Sequence, residues 1–176
     1  MKKNVLLVCG TRPEIIKMAP VYQALKQSGS LEPMVLHTGQ HTDLAAPLYD
    51  FFAMPPTASL DLERKDGSLA ALSVALLQPI SDVMTRLQPS AVLVHGDTSS
   101  ASMAALAAFY QQIPVGHVEA GLRTNDRYSP FPEEMNRSLI GRLANWHYAP
   151  TKGSAEALYR EGIDAGSVLV AGNSVI

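Results

Sequence analysis

VLLVCGTRPEIIKM, residues 5–18, decides the fold class. Val5 to Cys9 is an unbroken apolar run that ends at the polar turn Gly10-Thr11-Arg12. An unbroken run is what a strand needs when both of its faces are covered; a strand with one wet face alternates instead. Pro13 is pre-set for the first turn of a helix, and Ile15, Met18, Tyr22 and Leu25 follow at helical spacing. Strand, tight polar turn and helix together form the opening of a parallel β-α-β unit. Pro20 falls inside the helical pattern and predicts a kink or an early break there.

The same alternation continues along the chain. Met34–His37, Ala91–Val94, Val115–Val118, Trp146–Tyr148 and Val168–Val170 read as further buried strands. Helical patterns cover Ser68–Gln88, with a bend expected at Pro79, and the Ala-rich stretch Thr98–Tyr110. Two more lie at Glu133–Leu143 and Ser154–Arg160. Right-handed crossovers between such units give an α/β fold with a doubly wound parallel sheet. Met54–Asp66, with Pro55-Pro56 and mixed charges, is expected to be the longest surface loop. The last residues, from Ala171 to Ile176, follow a strand and stop on apolar side chains, which predicts that the natural chain continues.

Length and composition narrow the function classes. With 176 residues, 47% of them hydrophobic and 17% charged, the chain is long enough for one globular domain with a real core. A net charge of −2 argues against a nucleic-acid surface, which needs a basic stripe. No apolar stretch approaches the roughly 18 residues of a membrane span. Lys2 and Lys3 precede an apolar run too short for a signal sequence, with no cleavage site after it. One cysteine allows no internal disulfide, so a cytoplasmic setting is the expectation, with Cys9 an inert core residue.

In open parallel sheets, ligands bind beyond the carboxyl ends of the strands. Those ends here carry Gly10-Thr11-Arg12 with Glu14 and Lys17, Thr38-Gly39-Gln40-His41, His95-Gly96-Asp97-Thr98, and Glu119-Ala120-Gly121-Leu122-Arg123. Three acids, several cations and small glycines thus meet at one edge, which predicts an acid–base site. Each has a plainer reading beside it. Asp97 can cap the following helix. Glu119 can sit in a structural ion pair, because a buried carboxylate needs a partner. Arg12 and Lys17 can be solvated, although cations near a helix amino terminus oppose its dipole unless an anion is present. His37, His41, His95 and His117 lack the spacing of a metal motif, and no metal site is expected. The first turn lacks the GxGxxG glycines a dinucleotide needs, and there is no phosphate-binding GxxxxGK[ST] loop; no NAD and no other cofactor is expected.

Six segments together resemble the non-hydrolysing UDP-N-acetylglucosamine 2-epimerase family. They are GTRPEIIKMAP from Gly10, TGQH from Thr38, HGDTSS from His95, HVEAGLRT from His117, SPFPEEMNR from Ser129 and GNSVI from Gly172, and they span nearly the whole chain. The resemblance implies a Rossmann-like domain over residues 1–176, one half of a two-domain GT-B fold, with the carboxy-terminal UDP-binding domain absent from this chain. It implies interconversion of UDP-N-acetylglucosamine and UDP-N-acetylmannosamine, by loss of the C2 proton and departure of UDP, then re-addition of UDP after reprotonation on the other face. It assigns Asp97, Glu119 and Glu133 as the catalytic acids and Arg12 and Lys17 as the basic residues at the substrate. Gln40 and His41 match positions linked to a second UDP-N-acetylglucosamine acting as activator, although Thr42-Asp43 departs from the family there. A homodimer, a place in cell-envelope polysaccharide synthesis and no turnover by this half alone are further implications. The rival readings are a hydrolysing relative, a GT-B glycosyltransferase, and a non-catalytic nucleotide-sugar-binding or dimerisation module; the intact acids and cations oppose the last.

Overall fold

The structure, a computed structural model, describes residues 2–40 and 45–175. Seven strands among them form one parallel sheet. They are β1 (Lys3–Cys9), β2 (Leu31–His37), β3 (Ala58–Ser59), β4 (Ala91–His95), β5 (Val115–Val118), β6 (Trp146–Ala149) and β7 (Val168–Val170). Their spatial order, β3-β2-β1-β4-β5-β6-β7, reverses direction at β1, as a doubly wound sheet requires. The α-helices among the described residues are α1 (Arg12–Gln27), α2 (Ala45–Phe51), α3 (Leu69–Leu87), α4 (Ser99–Tyr110), α5 (Glu133–Leu143) and α6 (Lys152–Arg160). None is long and apolar enough to cross a membrane.

Period-two alternation within β1 feeds two cores. Leu6 and Val8 point to one face with Leu36, Val92 and Val94, where α3, α4 and Ile140 of α5 cover them. Val5, Leu7 and Cys9 point to the other, against Ile15, Met18 and Tyr22 of α1 and Tyr49 of α2. This is the physical reason the first strand is apolar at every position. Alanines at 101, 104, 105, 107 and 108 of α4 are all fully buried, letting that helix lie close on the sheet.

Two expectations change, and two short elements are added. Helix α1 continues through Pro20 to Gln27, so there is no early break. Pro20 is exposed, and the Ser174 hydroxyl donates to the Lys17 carbonyl 2.7 Å away. Helix α3 runs unbroken from Leu69 to Leu87 with Pro79 inside it, which is consistent with the expected continuous helix. The expected surface loop over 54–66 contains β3, whose two residues are too few to carry a periodic signal. Helix α2 and the 3-10 turn Ala165–Ser167 also went unpredicted.

Candidate active site

The turns after β1, β4 and β5 converge at the carboxyl edge of the sheet, beside the reversal point. Gly10 makes this possible. A Cβ there would lie 2.2 Å from Ser100 Oγ and 2.4 Å from Thr38 Oγ1, which are themselves hydrogen-bonded at 2.7 Å. Gln40 joins the same cluster, its Oε1 accepting from Ser100 N at 3.2 Å and from Ser100 Oγ at 2.6 Å. His41 lies outside the described residues.

Asp97 does not cap α4. Thr98 does, its hydroxyl accepting from Ala101 N at 3.0 Å. The Asp97 carboxylate instead meets Arg137, with Nη2 2.7 Å from Oδ2, and Asn136 Nδ2 donates to the Asp97 carbonyl at 2.9 Å. Asn136 and Arg137 are three and four residues beyond Glu133 on α5, so the three share a helix face turned towards Asp97. Neither was singled out from the sequence, although the i, i+3, i+4 spacing inside SPFPEEMNR was a usable signal.

Glu119 sits directly after β5 with φ of +64°, a left-handed conformation that costs a non-glycine residue about 1 kcal/mol. Its Oε1 pairs with Lys17 Nζ, and its Oε2 lies 3.2 Å from His95 Nε2, off the line of a well-formed hydrogen bond. Lys17 therefore has the anion that its place near the helix start called for. Arg12, the first residue of α1, is exposed and forms no ion pair among the described residues.

The two carboxylates are driven in opposite directions. Burial raises the Asp97 carboxyl above its ordinary range; the Arg137 guanidinium opposes this, and the charges of Glu133 and Glu119 add to it. Burial also pushes Glu119 up, but His95 and the Lys17 ammonium outweigh it and hold its pKa at about 2. The proton affinities of two neighbouring carboxyls are thus pushed apart, the arrangement general acid–base chemistry uses.

Beyond Glu119 the chain is clamped onto neighbouring elements. Glu134 accepts from Thr124 N and Asn125 N at 3.0 Å each, and Arg123 forms a bidentate pair with Glu161 at 2.6 and 2.9 Å. Among the described residues no group of three or more His, Cys, Asp or Glu side chains is arranged to hold a metal ion.

Fully buried His117 lies in β5 beneath this site. Its Nε2 donates to the Gly96 carbonyl at 2.7 Å, so that nitrogen carries the hydrogen, and Nδ1 has no partner among the described residues. Burial, with charges from His147, His95 and Arg123, lowers its pKa from 6.5 to about 3. The unfolded chain therefore binds the extra proton first, and stability falls as pH drops from 6.5 towards 3. At pH 5 the His117 share of the loss is about 2 kcal/mol relative to pH 7. His37 and His147, also lowered by burial, act in the same window, while Asp97 and Glu14, raised by burial, act oppositely at lower pH. His117→Gln, which can still donate to Gly96, should flatten the slope of urea-unfolding free energy between pH 5 and 7. An unchanged slope would mean that His117 is not held neutral.

Fold and site together define a doubly wound α/β domain with a cluster of acidic and basic side chains at its switch point. The family model for UDP-N-acetylglucosamine 2-epimerase matches residues 23–176, and the chain belongs to that family. The UDP-N-acetylglucosamine 2-epimerase of Yersinia pestis is 46% identical over 173 residues, covering 98% of this chain and 46% of that protein. Among solved structures, UDP-GlcNAc 2-epimerase from Neisseria meningitidis bound to UDP-GlcNAc superposes with a TM-score of 0.94 at 44% identity, covering 98% of this chain and 46% of that one. MurG of Acinetobacter baumannii, at 18% identity and a TM-score of 0.69 over 97% of this chain and 45% of its own, shares the fold alone. The chain spans about half the length of the relatives it matches.

Proposed function

We propose that these residues form the amino-terminal catalytic half of a non-hydrolysing UDP-N-acetylglucosamine 2-epimerase. The observation that carries this reading is the pair of neighbouring carboxylates driven in opposite directions, Asp97 upward and Glu119 downward, with Lys17 on the second. Epimerisation at C2 needs a proton removed from one face of the sugar and returned on the other, with UDP leaving in between. Two carboxylates of different proton affinity suit that exchange. In this reading Asp97, whose proton affinity burial raises, exchanges the proton, Glu133 tunes it, and Glu119 remains an anion. Lys17 and the exposed Arg12 face the departing pyrophosphate, whose growing charge they stabilise. The solved Neisseria relative, bound to UDP-GlcNAc, supports the substrate class.

The same proposal extends to the second ligand and to assembly. Gln40 has its Oε1 committed to Ser100, which leaves its amide N–H groups for an activating UDP-N-acetylglucosamine beside His41. A homodimer is formed through this half.

Because the chain covers 46% of its Yersinia relative, it is expected to bind UDP-N-acetylglucosamine weakly and not to turn it over alone. Incubation in D2O with the second half of a relative supplied in trans should bring C2 deuterium into both nucleotide sugars. Lys17→Met should weaken UDP-N-acetylglucosamine binding to the chain about tenfold, measured by calorimetry. Release of free UDP and free N-acetylmannosamine would replace this reading with the hydrolysing one. Deuteration at an enzymatic rate by the chain alone would sink the claim that a second half is needed.

A further inference from the structure

Glu14 is a buried carboxylate that the proposed chemistry leaves unused. It is 1% exposed, at the third position of α1. Its Oε2 accepts from Gly10 N at 2.9 Å, Thr11 N at 2.7 Å and Thr11 Oγ1 at 2.9 Å. Its Oε1 accepts from Thr98 Oγ1 at 2.7 Å. Among the described residues no cation pairs with it. Four donors and the amino-terminal dipole of α1 are what offset the burial of its charge.

A helix-start glutamate ordinarily satisfies its own turn and goes no further. Glu14 does this with one oxygen and reaches another strand's turn with the other. Thr98, the group it reaches, caps α4 and immediately follows Asp97. One carboxylate therefore links the turn that carries Arg12 to the turn that carries Asp97. A glutamine could keep the first set of bonds through its carbonyl. Its amide would then face Thr98 with a donor, leaving the Thr98 proton without an acceptor.

We infer that Glu14 is a positioning residue: its carboxylate couples the Gly10–Arg12 turn to the Asp97–Thr98 turn and so sets the spacing between the Arg12 and Asp97 sides of the site. This rests on the proposed function for the meaning of that spacing, though not for the coupling itself. Misplacement of a reacting group by about 1 Å can cost a hundredfold in rate, so the coupling matters beyond stability.

The test uses the full chain, labelled for carboxyl-carbon and amide NMR, in Glu14→Gln, Thr98→Val, Thr98→Ser and the buried-core control Val83→Ala. Glu14→Gln should shift the Asp97 and Thr98 amides and the Asp97 carboxyl titration. It should also weaken UDP-N-acetylglucosamine binding by about tenfold or more. Val83→Ala should lower the unfolding midpoint without either effect, and Thr98→Ser, which keeps the hydroxyl, should match wild type. If Glu14→Gln does not fold, Thr98→Val reads the coupling in reverse: the Gly10 and Thr11 amides must move although Glu14 is intact. The inference is overturned if Glu14→Gln disturbs only Gly10–Arg12, or if those amides stay in place in Thr98→Val. Should wild type fail to bind UDP-N-acetylglucosamine while Asp97 still responds to Glu14→Gln, the proposed function falls and the coupling stands.

Discussion

Gly121→Ala is expected to lower the unfolding free energy by about 3–5 kcal/mol. Gly121 has φ of +88°, and a Cβ there would lie 2.2 Å from the Ser154 carbonyl oxygen and 2.8 Å from its carbon. Both penalties act together. A left-handed alanine is strained by about 1 kcal/mol or more, and the clash is with backbone at the start of α6, which no rotamer change can relieve. The segment must lift off α6, against the bidentate Arg123–Glu161 pair two residues further on. For a chain of this length the loss corresponds to a fall in melting temperature of roughly 10 °C. Since Glu119 precedes Gly121 by two residues, the Glu119 titration should move upward in the same variant as its contact with Lys17 is disturbed. A melting temperature within a degree or two of wild type would contradict the tight approach of this turn to α6.

Arg137→Met should cost about 2–4 kcal/mol by urea unfolding at pH 7, a penalty that shrinks in acid. Arg137 is the guanidinium between Asp97 at 2.7 Å and Glu134 at 3.6 Å. Methionine keeps most of the apolar stem but leaves two carboxylates without their cation. The lower end of the range reflects the 26% exposure of the Asp97 side chain, which lets water replace part of the pairing. Removing the guanidinium also removes the main influence that opposes burial at Asp97, so the Asp97 carboxyl must rise further. As pH falls and Asp97 becomes protonated, the penalty should shrink. If the proposed activity is reconstituted with a second half, the same variant should move the acid limb of the pH–rate profile upward, whereas a purely structural arginine would lower activity equally at all pH values. Equal losses of stability at pH 4 and pH 7 would show that the pair contributes nothing electrostatic.

Periodicity made the sheet legible. Apolar runs at β1, β2, β4, β5, β6 and β7 report burial on both faces, and burial is a property each run carries locally. The starts of α3 and α4 were legible for the same reason, since Ser68 and Thr98 satisfy their own first turns. β3 and α2 were not, because two residues and two turns hold too little pattern for any period to register. An early break at Pro20 does not occur: the proline removes one helical bond, a cost that packing of the surrounding helix absorbs.

The candidate site divides along a similar line. The amino-acid sequence by itself determined the doubly wound sheet, the edge at which a ligand would lie, and the residue types gathered there. Those depend on hydrophobic period and on the order of turns along one chain. Only the tertiary structure decided which acid meets which cation: Lys17 with Glu119 across 102 positions, Asp97 with Arg137 rather than with the helix it precedes, and Glu14 with Thr98 across 84. The physical reason is that ionisation responds to burial and to charges a few ångströms away. Neither quantity exists until distant turns are brought to one edge.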